Sequence, residues 1–389
     1  MNLLSNDPTG RQIAFNQAVS IIYANLPKPS AIMVPCLTGF DLFVQYMPHV
    51  LSIHETYLQY ESDLKPTVEL AEMISNISAY GAGVIWTTGG LINRQQGHAM
   101  TWRVLELREQ HMECCTRERC SVEEQNLLSN AYNDWALQLI NEGRYREAKP
   151  FSEKSLEIKY RLLDSEKDQF QFFISKILLA FVLLSEGDVE GAPGMAQEAF
   201  EHIEKEKGSD DPFTLHYKFH VGNAWASVGE YRKALEVHRA SVEARTALFG
   251  QANHDTLNGH FAIAHCLYRL GEFTDARMHV DKCLKQQRAA NWGSEHLLRA
   301  KYLQSLIMQK LKDTGKNWKA EEKSTITERN DLLVEHGRGK WADPEGTNEF
   351  VYFDYLVNVH AGRTSFVQLE DCGEGRPGSS GFRQVGNKL

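Results

Sequence analysis

The sequence predicts an all-α protein, a solenoid in which short helical hairpins are stacked one after another. The first observation is a repeat of 42 residues, and a fixed period of this size is typical of repeat arrays. The second is a set of small residues at constant distances from four glycines, and the third is the helical spacing of apolar residues around those glycines. The repeated pairs are Gly208 and Gly250, Thr214 and Thr256, Leu215 and Leu257, Gly222 and Ala264, Gly229 and Gly271, Tyr231 and Phe273, and Ala234 and Ala276.

A single repeat consists of two predicted helices joined by a short turn at Gly229. Before this glycine, Val221 and Trp225 are one helical turn apart, and after it Ala234 and Val237 continue with helical spacing. Glycine suits the residue after a helix, because it adopts a left-handed conformation without steric cost. Two antiparallel helices joined by a few residues form an αα-hairpin, and this is the predicted repeating unit.

Three columns of small residues predict close contact between the two helices of each hairpin. Helices approach closely only where side chains are short, because packed interiors leave no spare volume. A leucine in place of Ala234 should therefore cost about 1–3 kcal/mol of stability through overpacking. The reference glycines are Gly143, Gly187, Gly229 and Gly271. The small residues are Ala136, Ala180, Gly222 and Ala264 seven positions before them, Ala148, Ala192, Ala234 and Ala276 five positions after them, and Ser155, Ala199, Ser241 and Cys283 twelve positions after them.

This pattern resembles the tetratricopeptide repeat. The period and the loop from Phe249 to Leu257, which reads Phe-Gly-Gln-Ala-Asn-His-Asp-Thr-Leu, resemble the kinesin-light-chain type of that repeat. The resemblance implies a right-handed α-solenoid of tetratricopeptide-like hairpins. In the loop, we expect Asp255 or Thr256 to accept hydrogen bonds from the free amides of the next helix. The residues that match the repeat are Val221, Gly222, Trp225, Gly229, Tyr231, Ala234 and Ser241.

The chain divides into five predicted parts. The divergent first hairpin has its helices at Glu69 to Trp86 and at Ala99 to Met112, and the last repeat is centred on Gly315, with Ala320 as its small residue. A capping helix is expected near the end, before a tail whose glycine, serine and charged residues do not favour folding. The parts are a helical N-terminal linker or cap (1–66), the divergent hairpin (67–118), the tetratricopeptide-like repeats (119–340), the C-terminal capping helix (341–370, helical from Phe350 to Phe366) and the disordered tail (371–389).

Short motifs at both ends of the chain resemble a group of fungal multidomain proteins. Those proteins carry a receptor-like nucleotide-binding ATPase module of the NB-ARC or NACHT type, then a linker, then kinesin-light-chain-like repeats. The present sequence has no glycine-rich loop followed by Gly-Lys-Ser or Gly-Lys-Thr, so no ATPase module is predicted within it. The resemblance implies either the repeat end of such a protein or a relative that lacks the module. The motifs are Arg11-Gln12-x-x-Phe15-x-x-Ala18-Val19, Pro48-His49-Val50-Leu51, Phe353-Asp354-x-Leu356-Val357 and Gly362-Arg363.

Composition and charge narrow the classes of partner. The chain of 389 residues is 42% hydrophobic and 24% charged, so most of it should fold. A net charge of −9 argues against a general nucleic-acid-binding surface, which needs clustered positive charge. The longest apolar run, Ile177 to Leu184, is too short to span a bilayer, and no secretory signal is recognisable at the start. We expect a soluble, cytoplasmic protein with no membrane partner, and a nuclear location stays open.

The sequence predicts no catalytic residue and no cofactor. Seven scattered cysteines do not indicate a disulfide framework. One close cluster, His111 with Cys114, Cys115 and Cys120, has spacing that a zinc site requires, and an ordinary helix end followed by a loop explains the same residues. Paired acidic residues lie at predicted helix starts, where the helix dipole accounts for them without acid–base catalysis.

The first helices of stacked hairpins line a concave groove, which is the predicted binding surface. Asparagine side chains in such a groove can bond an extended peptide backbone through both donor and acceptor, and Phe219 and Phe261 can hold apolar side chains. Packing of the two phenylalanines between helices is the alternative interpretation. The predicted groove residues are Asn130, Asn133, His216, Phe219, Asn223, Asn258, Phe261, His265 and Arg269.

The function predicted from these observations is a non-catalytic scaffold that binds a protein or peptide partner in its groove. The alternative, implied by the fungal resemblance, is a regulator that senses a ligand or self-associates as a homo-oligomer through its repeats. An enzyme is the third hypothesis, and the cluster from His111 to Cys120 is its only support.

Overall fold

The structure is a computed structural model, and the residues that it describes form fourteen helices and no strand. No helix in the described residues is long and apolar enough to cross a membrane. The described residues are 7–26, 40–60, 62–65, 67, 69–70, 73, 94–114, 120–163, 169–188, 190–335, 349–357, 359 and 362–366. The helices are α1 (Pro8–Asn25), α2 (Phe40–Gln59), α3 (Arg94–Cys114), α4 (Val122–Asn141), α5 (Tyr145–Leu162), α6 (Phe170–Glu186), α7 (Gly191–Lys207), α8 (Pro212–Ser227), α9 (Tyr231–Phe249), α10 (His254–Leu270), α11 (Phe273–Gln286), α12 (Ser294–Lys310), α13 (Trp318–Glu335) and α14 (Glu349–Asp354).

Ten of these helices pair as five hairpins, from α4–α5 to α12–α13, and the two helices of each pair pack against each other. The first helices of successive hairpins also contact one another, from α4 through α6, α8 and α10 to α12. This side-by-side stacking confirms the predicted all-α solenoid. The helix α3 matches the second helix of the predicted divergent hairpin, whereas nearly all of the first, Glu69 to Trp86, lies outside the described residues, as does the predicted tail 371–389.

Left-handed glycines end the first helices of the hairpins, as predicted. Gly187 and Gly271 cap α6 and α10 with φ angles of 91° and 81°, and their backbone amides donate to the last carbonyls of those helices. Gly143 and Gly229 have φ angles of 75° and 84° at the corresponding turns. A residue with a Cβ rarely adopts this conformation, so the glycines fix where the first four hairpins reverse direction.

The N-cap residue at the start of α10 differs from the one that the sequence predicted. The side chain of Asn253 accepts hydrogen bonds from the backbone amides of Asp255 and Thr256 at the start of α10. Asp211 does the same at the start of α8. The sequence predicted Asp255 or Thr256 as the acceptor, but Asn253 has the extended backbone that precedes a helix and brings its oxygen to the free amides.

The small residues lie at the contacts between helices. All twelve members of the three predicted columns are buried. At Gly222 the fit is close, because a Cβ added there would lie 2.5 Å from the ring of His238 on α9. The columns therefore set the distance between the two helices of each hairpin, as the sequence predicted.

The fifth hairpin departs from the predicted register. The positive φ falls on Lys312, at 52°, and not on Gly315. Seven positions before Lys312 lies Ser305, which is fully buried, whereas Ala320 is exposed. The turn between α12 and α13 is longer than the earlier turns, so counting from the glycine displaced the prediction by three residues.

The C-terminal part of the chain forms a shorter helix than predicted, and its described residues lie along the first helices of the hairpins. The helix α14 covers only the six residues Glu349–Asp354, and not the range from Phe350 to Phe366. After it the backbone turns back, with Gly362 at a φ of 115°. The helix packs against α12, and the residues beyond it reach the first helices of earlier hairpins, as far as α4. The predicted capping part, 341–370, thus supplies a segment that lies along the groove.

Several histidines are buried within the solenoid and carry no charge at neutral pH. His238 has no exposed surface, neither of its ring nitrogens has a hydrogen-bond partner, and burial lowers its pKa to about 3. Burial also lowers the pKa of His265 to about 3 and the pKa values of His216 and His260 to about 4.

Replacement of Gly222 by alanine should lower the free energy of unfolding by about 1–3 kcal/mol, because the new Cβ would overlap the His238 ring. The matched control is Gly194→Ala, since this glycine is exposed on α7 and an added Cβ meets no atom within 4 Å. The control should be neutral or more stable by up to about 1 kcal/mol through helix propensity. Urea denaturation measures both variants, and equal stabilities would contradict the packing of the columns.

Acidification from pH 7 to pH 5 should destabilise the protein. The buried histidines stay neutral in the native state but bind protons in the unfolded state below a pKa of about 6.5. The stability that each contributes is complete above pH 6.5 and is lost as the pH falls, at up to about 1.4 kcal/mol per pH unit. Asp134 opposes this loss of stability as a single group. Burial raises its pKa to about 7, so the native state binds a proton more readily than the unfolded state as the pH falls from 7 to 5. Urea denaturation at constant ionic strength measures the sum, and a stability that does not fall over this range would contradict the neutral histidines.

Candidate peptide-binding groove

The groove formed by the first helices α4, α6, α8, α10 and α12 holds the chain's own C-terminal segment. We use this name for residues 349–357, 359 and 362–366. Each of the five helices contributes at least one side chain or carbonyl that contacts the segment. The segment therefore crosses all five hairpins described above.

A buried ion pair anchors the segment to the C-terminal end of the groove. Arg299 on α12 donates from Nη1 to Asp354 Oδ1 at 2.7 Å and to the carbonyl oxygen of Gly362 at 2.8 Å. Neither charged side chain is exposed, and the guanidinium lies 3.9 Å from the ring centre of Phe261. Burial lowers the pKa of Arg299, and the carboxylate of Asp354 opposes that change. The same carboxylate accepts hydrogen bonds from the backbone amides of Thr364 and of the residue after it.

Carbonyl oxygens at the C-terminal end of α4 bind the guanidinium of Arg363, which belongs to the C-terminal segment. Arg363 donates to the carbonyl oxygens of Ile140 at 2.9 Å and Asn141 at 2.6 Å, both in the last turn of that helix. The last carbonyls of a helix have no partner within it and carry partial negative charge, so they suit a cation. The guanidinium also lies 4.0 Å from the ring centre of Tyr355, whose hydroxyl is 3.0 Å from that of Tyr145 at the start of α5.

Groove side chains also bond the backbone of the segment. Asn223 donates from Nδ2 to the carbonyl oxygen of Arg363 at 2.8 Å, and Asn141 accepts from the amide of Val359 at 2.9 Å. A Cβ added to Gly362 would lie 2.6 Å from Asn258 Cγ, so only glycine fits at this contact. These contacts depend on the position of the segment's main chain and not on the identity of its side chains.

Aromatic residues of the segment stack on rings in the groove. Phe350 lies 4.2 Å from His265, nearly parallel to it, and 6.2 Å from Phe261. At the other end Phe366 stacks on Phe181 of α6 at 4.3 Å. Because burial keeps His265 neutral, its contact with Phe350 is an apolar stack and not a cation–π contact.

Four of the nine predicted groove residues contact the C-terminal segment. They are Asn223, Asn258, Phe261 and His265, and all four are buried.

Two of the other five predicted residues are buried between helices. Phe219 packs 5.3 Å from His238 and 5.1 Å from Arg245 of α9, so the packing interpretation applies to it. Asn133 donates to Ser175 on α6. Both side chains are therefore buried against neighbouring helices.

None of the remaining three predicted residues is fully buried. His216 has its Nε2 atom 3.1 Å from that of His220, four residues later on the same helix. Arg269 is exposed and lies over the ring of Tyr231 at 4.8 Å. Asn130 is half-buried, and its Oδ1 atom has no hydrogen-bond partner.

Sequence reasoning missed the residue with the strongest contacts, Arg299. It occupies the same repeat position as Asn258, thirteen residues before the left-handed residue that ends the helix. The register taken from Gly315 placed Tyr302 at that position instead. Counting from Lys312 would have found the arginine, but a lysine gives no sequence indication of a left-handed conformation.

The cluster considered as a zinc site is only partly described. His111 lies 2.8 Å from Glu124 of α4, and this hydrogen bond holds the pKa of Glu124 near 2. Cys115 and the side chain of Cys114 lie outside the described part. Among the described residues, no three His, Cys, Asp or Glu side chains gather as a metal site would require. The contact of His111 accords with the helix-end interpretation.

Solved structures of helical repeat proteins are similar to this fold. A Rap protein complexed with competence and sporulation factor has a TM-score of 0.55 at 10% identity, over 90% of this chain and 81% of that chain. BtubC from P. vanneervenii has a TM-score of 0.47 at 12% identity, over 66% and 96% of the two chains. A putative kinesin light chain with nearly identical TPR-like repeats from Podosopora anserina has 0.42 at 16%, over 52% and 95%.

No protein-family model and no curated protein matches the chain significantly. At 10% identity, the likeness to the Rap protein is a likeness of fold. Together with the stacked hairpins, it establishes the chain as an all-α solenoid of tetratricopeptide-like repeats.

Proposed function

We propose that this protein is a non-catalytic repeat scaffold that binds a segment of a protein partner across the first helices of its hairpins. The observation that carries the proposal is the geometry around Asn223, Asn141 and Arg299. These three side chains bond the backbone of a polypeptide that crosses the groove, which here is the chain's own. A groove that recognises one main chain by such contacts has the chemistry to recognise another.

The fold gives further support for a peptide ligand. The Rap protein of similar fold was solved as a complex with competence and sporulation factor. The shifted pKa values in the groove, those of His265 and Arg299, arise from burial beside the segment, so we assign both residues to binding and not to catalysis. No cofactor is part of the proposal, and we place the protein in the cytoplasm.

A regulator related to the fungal receptor-like ATPase proteins is the second candidate function. The residues that favour it are Asp354 and Arg363, which belong to the motifs shared with the ends of those proteins. In the structure they are the two charged residues that hold the C-terminal segment in the groove. In this version, the repeats sense a ligand or self-associate, and the segment's contacts change when they do.

Peptides selected from a random display library on the full chain should depend on Asn223. The Asn223→Ala variant loses a donor to the bound backbone, so the selected peptides should bind about tenfold more weakly. The matched control is Leu248→Ala on α9, because this leucine is half-exposed on a second helix. Fluorescence anisotropy measures affinity, and thermal unfolding shows that both variants are folded. If both variants bind the peptides as tightly as the wild type, groove binding is wrong.

A further inference from the structure

The groove has no room for a second polypeptide above the C-terminal segment. Asn223, Asn258, Phe261 and Arg299 are each at most 1% exposed, because the segment covers them. The segment or a neighbouring side chain engages Nδ2 of Asn223, Oδ1 of Asn258 and Nη1 of Arg299. A partner that uses these residues must therefore take the place of the segment.

The chemistry of a replacement is constrained by Arg299. Its guanidinium has no exposed surface, and Asp354 is the carboxylate that pairs with it. Breaking a buried pair by removing one partner leaves an uncompensated charge, which is among the largest costs that a single contact imposes. Any segment that displaces the resident one must bring a carboxylate to the same place.

An aromatic residue is required one helical turn earlier. Phe350 precedes Asp354 by four residues on α14, so the two side chains lie on the same face of that helix. The ring stacks on His265 at 4.2 Å while the carboxylate reaches Arg299. The groove thus binds an aromatic ring and an acid at a fixed helical spacing, followed by residues whose backbone bonds Asn141 and Asn223.

We infer that the C-terminal segment is a resident ligand, and that the partner is a protein segment with an aromatic residue followed four positions later by aspartate or glutamate. This inference rests on the proposed function and names the partner's chemistry. The partner competes with the resident segment for the same contacts. Binding of the partner then requires release of the chain's own C-terminal segment from the groove.

Covalent attachment favours the resident segment over any partner. Thirteen residues, 336–348, connect α13 to α14. A short connection gives a tethered ligand an effective concentration of the order of millimolar, so a free peptide of equal intrinsic affinity competes poorly. Cutting the connection removes this advantage and leaves the described contacts of the segment in the groove in place.

The test uses the full chain with a protease recognition sequence inserted between Glu335 and Glu349, folded and then cut. A fluorescent peptide of residues 349–366 is added, and anisotropy follows its uptake. The cut chain should bind the peptide at least about tenfold more tightly than the uncut chain. The same peptide with Asp354→Asn should bind about a hundredfold more weakly, and a scrambled peptide of the same composition should not bind.

A complementary variant separates recognition from folding. In the Arg299→Met chain, which no longer buries a cation at this position, the Asp354→Leu peptide should bind more tightly than the wild-type peptide, because removing both charges avoids an unpaired one. This reversal of preference depends on the pair and not on the overall stability of either chain.

Three results would overturn the inference. The first is a cut segment that stays bound without exchanging, since the segment is then a permanent part of the core. The second is equal binding of the wild-type and Asp354→Asn peptides. The third is dimer formation by light scattering without peptide uptake, which would assign the groove to a second copy. Library peptides that depend on Asn223 but lack the aromatic–acid pattern would leave the proposed function in place and still overturn this inference.

Discussion

The ion pair between Arg299 and Asp354 is the contact on which the arrangement of the groove depends. Two fully buried charges need further hydrogen bonds to offset the cost of their desolvation. Asp354 also accepts from the amides of Thr364 and Ser365, and the arginine also donates to the carbonyl of Gly362. The pair therefore fixes α14 and the later turn together. The turn at Gly362 then places Arg363 at the C-terminal end of α4.

The solenoid supplies the rigid frame that this network needs. Left-handed glycines set where the hairpins reverse, and short side chains such as Gly222 let the helices of a hairpin approach closely. Helices held in this way bring Asn141, Asn223 and Arg299 to the same C-terminal segment, although about 160 residues of sequence separate the first from the last. A binding surface that extends over several repeats follows from close packing inside each one.

The periodic part of the sequence predicted the fold and part of the groove, whereas the contacts made by the non-periodic C-terminal segment could not be predicted. Period and small residues identify which helices face each other, and they pointed to Asn223 and Asn258. They do not distinguish Phe219 from Phe261, which share a repeat position but meet different neighbours. Nothing in a repeat pattern pairs Arg299 with an aspartate 55 residues later in a single-copy segment. The long-range ion pair is visible only when the chain has folded.

The C-terminal segment occupies the groove in the folded protein, and both proposals depend on this placement. Hydrogen exchange measured by mass spectrometry or NMR at the amides of Val359, Thr364 and Ser365 tests it directly, because all three donate to buried side chains. We expect these amides to exchange far more slowly than those of an unstructured chain. In an Asp354→Asn variant, they should exchange faster than in the wild-type protein. Exchange at the rate of an unprotected peptide, unchanged in the variant, would contradict it.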